Sequence, residues 1–277
     1  MTIAPISDRE FVQFQRFILD AAGISMSSSK KALVSGRLSR RLQYLQLNSY
    51  GEYLRLLEDG EHRTEIQTAI DLLTTNETYF FREHKHFDLL RQLVSQAPRR
   101  AAPFRVWSAA SSTGEEAYSI AMVLEYRRHG HPWEVLGSDI SSRVLERARL
   151  GHYPMERARH IPADYLKRFC LKGKGIQEGT LLVDRELRRR VQFMPVNLNA
   201  PLPSLGMFDA IFLRNVMIYF NDATKREVVG RILGHLRPGG HFLIGHSETF
   251  NGVSDAVQAL APSIYQLALE PDAARAT

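Results

Sequence analysis

Phe104-Arg105-Val106-Trp107-Ser108-Ala109-Ala110-Ser111-Ser112-Thr113-Gly114-Glu115-Glu116-Ala117-Tyr118-Ser119-Ile120-Ala121 decides the fold. It opens as a short apolar run of strand type. The chain then loses bulk from Ser108 to Gly114. It restarts as a helix, with Ile120, Val123 and Leu124 recurring at helical spacing. Strand, small-residue turn and helix make the first unit of a nucleotide-type α/β fold. The turn lets a ligand approach the backbone, and the helix start offers free N–H groups. An ordinary strand-to-helix connection has the same pattern, so the flanking sequence has to separate the two.

Downstream, 133–139 is a second short strand that ends in Asp139. An acid at that place commonly accepts hydrogen bonds from ribose hydroxyls. It can equally cap the helix that starts near Ser141. Residues 191–196 and 208–213 read as further strands, the latter running into Arg214-Asn215. A helix over about 223–236, a turn at Arg237-Pro238-Gly239-Gly240 and a strand over 241–246 follow, and 263–269 closes the sheet edge. The stretch 172–183 is glycine-punctuated and strand-like, which predicts a small antiparallel excursion. It lacks the Gly-Lys-Ser/Thr ending of a phosphate cradle. The alternation predicts an α/β domain over 104–277, with a loose tail from Glu270.

Upstream the pattern is all helical over 1–75. Ser7-Asp8-Arg9-Glu10 is a capping box. Phe11, Phe14, Ile18 and Ala22 share one face, and Gly23 stops the helix. In the second helix Val34, Leu38, Leu42 and Leu45 share a side. Lys30, Arg37 and Arg41 form a neighbouring stripe, with Lys31 and Arg40 beside it. Five basic residues without an acid are either a docking face for an acidic partner or a solvated helix face. Helices over about 50–58 and through Ile66, Ile70 and Leu73 complete the unit. Residues 76–103 then read as linker and lid. Thr74 to Glu83 carries turn residues, three aromatics and Arg82, which suits a pocket wall or a domain-packing segment. Glu83, His84 and His86 raise the question of a metal. Positions 84 and 86 do not share a helical face, so no metal site is expected.

The formal net charge of +6 points to an acidic or polyanionic partner. A single cysteine, Cys170, excludes an internal disulfide and a multi-cysteine metal site. Residues 1–10 contain acids and no apolar core, so no signal peptide is expected there. No apolar run reaches the length of a membrane span. A cytoplasmic protein without membrane insertion is the expectation.

The turn after the first strand is not Gly-x-Gly-x-x-Gly. It has one glycine followed by Glu115 and Glu116, and acids at a helix start oppose a pyrophosphate. They suit a ligand that is cationic nearby. S-adenosylmethionine, with a ribose, a sulfonium and an ammonium but no phosphate, fits better than NAD or ATP.

Several motifs now form a series. They are Asn76-Glu-Thr78-Tyr-Phe-Phe-Arg82, Trp107-Ser-Ala-Ala-Ser-Ser-Thr-Gly-Glu-Glu116, Ser138-Asp139-Ile, Asn197-Leu198, Phe208-Asp-Ala-Ile-Phe-Leu-Arg214-Asn215-Val-Met-Ile-Tyr219-Phe and Gly245-His-Ser-Glu248. In this order they resemble the CheR family of chemotaxis-receptor glutamate O-methyltransferases, over about residues 7–269. Arg237-Pro-Gly-Gly240 alone is a general class I methyltransferase signature. The resemblance implies a class I S-adenosylmethionine-dependent methyltransferase domain, Rossmann-like α/β, with a small β-subdomain near 172–190 and an all-α N-terminal domain before it. It implies transfer of methyl groups to glutamate side chains on the cytoplasmic helices of chemoreceptors.

Matched position by position, the resemblance brings Asn76, Thr78 and Arg82 to the cofactor from the linker. It brings Glu116 and Asp139 to its polar groups, with Asp139 on the ribose. Asn197 and Leu198 flank the adenine, and Arg214 and Asn215 lie near the methionine part. Arg82 and Tyr219 resemble the residues near the transferred methyl. The stripe of Lys30, Lys31, Arg37, Arg40 and Arg41 would contact the receptor's methylation region. In some members the β-subdomain also grips a receptor C-terminal peptide. A monomer with no nucleic-acid partner is expected. Asn215-Val-Met-Ile-Tyr219 lacks the prolines common in amine-methylating enzymes, and no base-stacking platform is evident.

Overall fold

The computed structural model describes residues 4–98, 101–128 and 130–269; Arg99 and Arg100 of the connector and the tail from Glu270 lie outside them. Four helices come first: α1 (Asp8–Ala22), α2 (Lys31–Tyr44), α3 (Tyr50–Glu58) and α4 (Arg63–Leu73). The capping box forms as the sequence predicts. Ser7 Oγ accepts from Glu10 N, and the Glu10 carboxylate accepts from Ser7 N at 2.8 Å. Gly23, at φ +72°, ends α1 in the left-handed region. Phe14 and Ile18 pack on Val34, Leu38 and Leu42, with Tyr53 and Leu57, in a core separate from the sheet. Leu45 is only partly buried at the end of α2, where the helix has already stopped. In this unit Tyr53 Oη donates to Glu65 at 2.6 Å, and the Arg41 guanidinium grips the same carboxylate with two nitrogens.

After α5 (His84–Gln96) the chain alternates: β1 (Phe104–Ser108), α6 (Glu115–Arg127), β2 (Trp133–Asp139) and α7 (Ser142–Leu150). An insertion follows, with β3 (His152–Pro154), α8 (Ala163–Phe169), β4 (Cys170–Lys172) and β5 (Thr180–Val183). Then come α9 (Arg185–Arg189), β6 (Val191–Pro195), β7 (Phe208–Leu213), α10 (Asp222–Leu233), β8 (Leu236–Ile244), β9 (Val257–Ala261) and β10 (Ile264–Leu267). The seven-stranded sheet runs β6-β2-β1-β7-β8-β10-β9. Its first five strands are parallel, and β10 and β9 are antiparallel. The chain leaves β1 toward β2 on one side and returns to β7 on the other, so the strand order reverses between β1 and β7. A crevice at the carboxyl ends follows from that reversal. Helix α6 is buried on every side from Ala117 to Leu124, because sheet, α5 and α9 all cover it. Its helical spacing is real, but it has no polar face to contrast with.

Three details differ from the sequence reading. Ile264–Leu267 is an inner strand, and Val257–Ala261 forms the edge outside it. That edge is half-buried at one end and exposed elsewhere, so it shows no apolar alternation to detect. Strand β8 begins at Leu236 and absorbs Arg237-Pro-Gly-Gly240, with a register shift opposite Phe208–Ala210 in place of the expected turn. The small sheet, ordered β3-β5-β4, draws on 152–183 and so begins well before 172, while 185–189 is helical. Its first strand is three residues long, too short for any periodic signal.

Candidate active site

A cavity of about 400 Å³ opens at the carboxyl ends of β1, β2, β6 and β7, where the strand order reverses. The linker and the helical unit form its other walls. From the linker come Asn76, Thr78 and Arg82; from the start of α6 Glu116; from the sheet ends Asp139, Asn197 and Leu198; from the turn after β7 Arg214, Asn215 and Tyr219. The structure therefore gathers every sequence-derived cofactor and catalytic residue around one space. Ala22, Met26 and Lys30 of the helical unit also line it.

Asp139 serves the start of α7 and also lines the cavity. Oδ1 accepts from Ser141 N at 3.0 Å, opening α7, and Oδ2 accepts from Ser112 N at 2.9 Å, fixing the small-residue turn. Each oxygen keeps a further acceptor site while the residue lines the cavity. Burial raises its pKa, against those backbone donors.

The two acids at the start of α6 part company. Glu115 is fully buried and turned away from the cavity. It accepts from Thr113 Oγ1 at 2.6 Å and from Arg157 Nη1 at 2.7 Å. Only Glu116 faces the cavity, so the charge argument made from two acids rests on one. Glu116 accepts from Ser108 Oγ and from Arg214 Nη1, both at 2.7 Å. Burial raises its pKa, opposed by Arg214 and Ser108.

The Arg214 side chain is 1% exposed and bridges two carboxylates, Glu116 and, at 2.9 Å, Glu83. Its Nη2 also donates to Arg82 O at 2.6 Å. Arg214 is thus committed to the protein itself, and only its buried Nε lacks a partner. Burial opposes the charge of Glu83, but Arg214 outweighs it and lowers the pKa. Asn215 sits at φ +57°, and its N–H donates to Glu248. The same carboxylate accepts from Met217 N at 2.7 Å and from Gly245 N at 2.5 Å. Glu248 therefore pins the turn that presents Asn215 and Tyr219. The sequence carries it within Gly245-His-Ser-Glu248 without revealing that task. Asn197 Nδ2 donates to Ala21 O at 2.7 Å, tying the helical unit to the sheet.

Arg82 and Tyr219 are less encumbered. Arg82 Nη1 donates to Glu77 O at 3.1 Å, and its guanidinium lies 5.7 Å from the Tyr79 ring centre. It meets no carboxylate among the described residues. Burial raises the Tyr219 pKa, against the Arg82 and Arg37 charges, so the phenol is neutral near pH 7.

The structure assembles a histidine–carboxylate group that sequence spacing does not show: Glu83, His86 and His246, rather than His84. Glu83 Oε2 is already taken by Arg214, whose positive charge opposes a metal ion there. Burial, with Arg214 second, pushes His86 down to about 3.

The basic stripe of α2 divides. Arg37 donates to Leu73 O and Thr74 O at 3.0 and 2.9 Å, and Arg41 is locked on Glu65. These two hold the fold, because α2 packs on α4 along the edge where they lie. Neither side chain is therefore a bare solvated cation of the stripe. Lys31 pairs with Asp8 at 2.6 Å. Lys30 and Arg40 remain exposed, without an acid partner among the described residues.

Comparison with known proteins agrees with this architecture. The family model described as CheR methyltransferase, SAM binding domain, matches residues 76–265, and the CheR methyltransferase all-alpha domain matches 9–74. The chemotaxis protein methyltransferase of Escherichia coli K12 is 43% identical over 95% of this chain and 92% of its own length. Chemotaxis protein methyltransferase 2 of Pseudomonas aeruginosa is 44% identical, covering 92% of each chain. The chemotaxis protein methyltransferase of Borreliella burgdorferi is 35% identical over 94% and 95%. With both of its domains matched and its cavity at the switch point of the sheet, the chain belongs to the CheR methyltransferase family and is an S-adenosylmethionine-dependent methyltransferase.

Proposed function

We propose that the chain methylates glutamate side chains in the cytoplasmic helical region of chemoreceptors, giving glutamyl methyl esters and S-adenosylhomocysteine. The observation that carries this reading is the Arg82 guanidinium. It lines the acid-floored cavity beside Tyr219 and has no carboxylate partner among the described residues. The residues fit the cofactor: a 400 Å³ space, acceptors on Asp139 and Glu116, apolar Leu198, and no phosphate cradle. When bound, S-adenosylmethionine supplies an electrophilic methyl group. The protein's part is positioning. Arg82 holds the incoming carboxylate, and Tyr219 and the turn fixed by Glu248 shape the space around it.

A glutamate with a pKa of about 4.3 is ionised at neutral pH, so no general base is required. His86 is neutral throughout that range and does not line the cavity. The rate of the chemical step should therefore be flat between pH 6 and 8 in single-turnover assays. A tenfold rise across that interval at saturating cofactor would contradict the scheme.

Receptor docking falls to the exposed cations. Arg40→Glu should raise KM for a receptor fragment about fivefold at low salt. The difference should shrink toward ~0.5 M salt as charges are screened. Circular dichroism and kcat should be unchanged. An unaltered KM would remove this face from the docking model. A second contact, with a receptor C-terminal peptide, is supported by the open edge of β4 and by exposed Leu171 and Ile176. Among the described residues no helix is long and apolar enough to cross a membrane.

A further inference from the structure

The segment 76–82 has two faces. Asn76, Thr78 and Arg82 line the cavity. The three aromatics between them point to the inserted unit. Tyr79 lies 4.8 Å from the His160 ring, Phe80 meets Tyr153 edge-on at 5.1 Å, and Phe81 lies 5.6 Å from Tyr165. Each aromatic thus has a ring partner within 153–165, the stretch that runs from the first small-sheet strand into α8, while Phe81 also packs on Phe87 of α5 at 4.9 Å.

Polar contacts repeat the pattern. Arg157 Nη1 donates to Thr78 O at 2.8 Å and to Glu115 Oε1 at 2.7 Å. Tyr153 Oη donates to Thr113 O at 2.7 Å. One inserted element therefore holds both the lid and the turn that starts α6. The backbone on either side of Arg82 needs such support. Phe81 is at φ +54° and Glu83 at φ +59°, conformations that non-glycine residues keep only where the surroundings over-determine them.

We propose that the inserted unit is the backstop of the lid, and that Arg157 is a positioning residue that locks residues 76–82 to the cofactor turn. Arg157 does not line the cavity and touches no reacting atom. Its influence on methyl transfer passes through Thr78 and the placing of Arg82. The inference extends the methyltransferase assignment and does not depend on which protein is methylated.

Loss of Arg157 alone strands a buried carboxylate, so the deciding comparison is Glu115→Gln against Glu115→Gln/Arg157→Met in the full-length chain. Both variants lack the buried charge, and only the second lacks the donor to Thr78. Hydrogen exchange should become at least tenfold faster in 76–82 in the double variant, with α1–α4 unchanged. The dissociation constant for S-adenosylmethionine should rise about tenfold. Glu115→Gln/Arg157→Lys should recover part of the protection. Equal exchange at 76–82 and equal affinity in the two variants would overturn the proposal. A uniform rise in exchange across the chain would do so too, since it would mark Arg157 as a general fold contact. Both readouts work without a methyl acceptor, so their failure is distinct from failure of the receptor assignment.

Discussion

Arg214→Met is expected to lower the thermal midpoint by about 6–20 °C, the largest stability effect of any single change in the site. The guanidinium is 1% exposed and lies between Glu83 and Glu116, each 12% exposed. Removing one partner of a buried ion pair costs roughly 3–5 kcal/mol, because the other charge stays buried and unpaired. At about 2–4 °C per kcal/mol for 150–250 residues, that gives the quoted range. The pH dependence of the Glu83 contribution should change sign, while that of Glu116, already raised, should steepen. In the parent, Glu83 has a lowered pKa. Its contribution is present above the unfolded value near 4.3 and is lost only as pH falls through the lower folded value. Without Arg214, only weaker donors such as Ser108 Oγ on Glu116 and His246 N on Glu83 oppose burial, so both carboxylate pKa values should rise and the variant should gain stability as pH falls from 7 toward 5. Adding Glu83→Gln should restore part of the midpoint. A variant that melts within 2 °C of the parent, as surface substitutions roughly do, would show that the bridge is not structural.

Arg82→Ala should lower kcat by about a hundredfold or more while the S-adenosylmethionine dissociation constant changes less than about threefold. Among the described residues the polar and ring partners of the side chain are Glu77 O and the Tyr79 ring, so its loss strands no buried group there. Its backbone carbonyl, which does hold Arg214, is untouched by the substitution. Stability should stay within about 0.5 kcal/mol. The guanidinium is the one long cation of the cavity wall without an internal carboxylate besides Lys30 at its rim, among the described residues. An anionic nucleophile has most to gain from it at the moment of alignment. Tyr219→Phe keeps the ring and should cost less, about tenfold. Equal losses of kcat and of cofactor affinity in Arg82→Ala would make the arginine a cofactor ligand and not an orienting group.

Much of the fold was legible because strand, small-residue turn and helix repeat at clear spacing from Phe104 to Ile244. The exceptions are physical. His152–Pro154 is too short to show a period, and Val257–Ala261 lacks a buried face. The cavity residues were legible as motifs, but their partners were not. Glu115 and Glu116 are neighbours in sequence, yet a helix turns consecutive side chains by 100°, and one meets Arg157 while the other meets Arg214. Arg37 and Arg41 share a stripe with Lys30, but the docking of α4 closes over that edge and converts two surface charges into fold contacts. His246 shows the same limit, since it reaches Glu83 and His86 from the far end of the domain and leaves no local spacing to find.

Methyl transfer from labelled S-adenosylmethionine to a purified chemoreceptor cytoplasmic fragment tests the whole account most directly. The label should enter the fragment, be released as methanol by mild alkali, and be lost when the acceptor glutamates are changed to alanine. Label that resists alkali, or that persists without those glutamates, would contradict glutamate esterification by this chain.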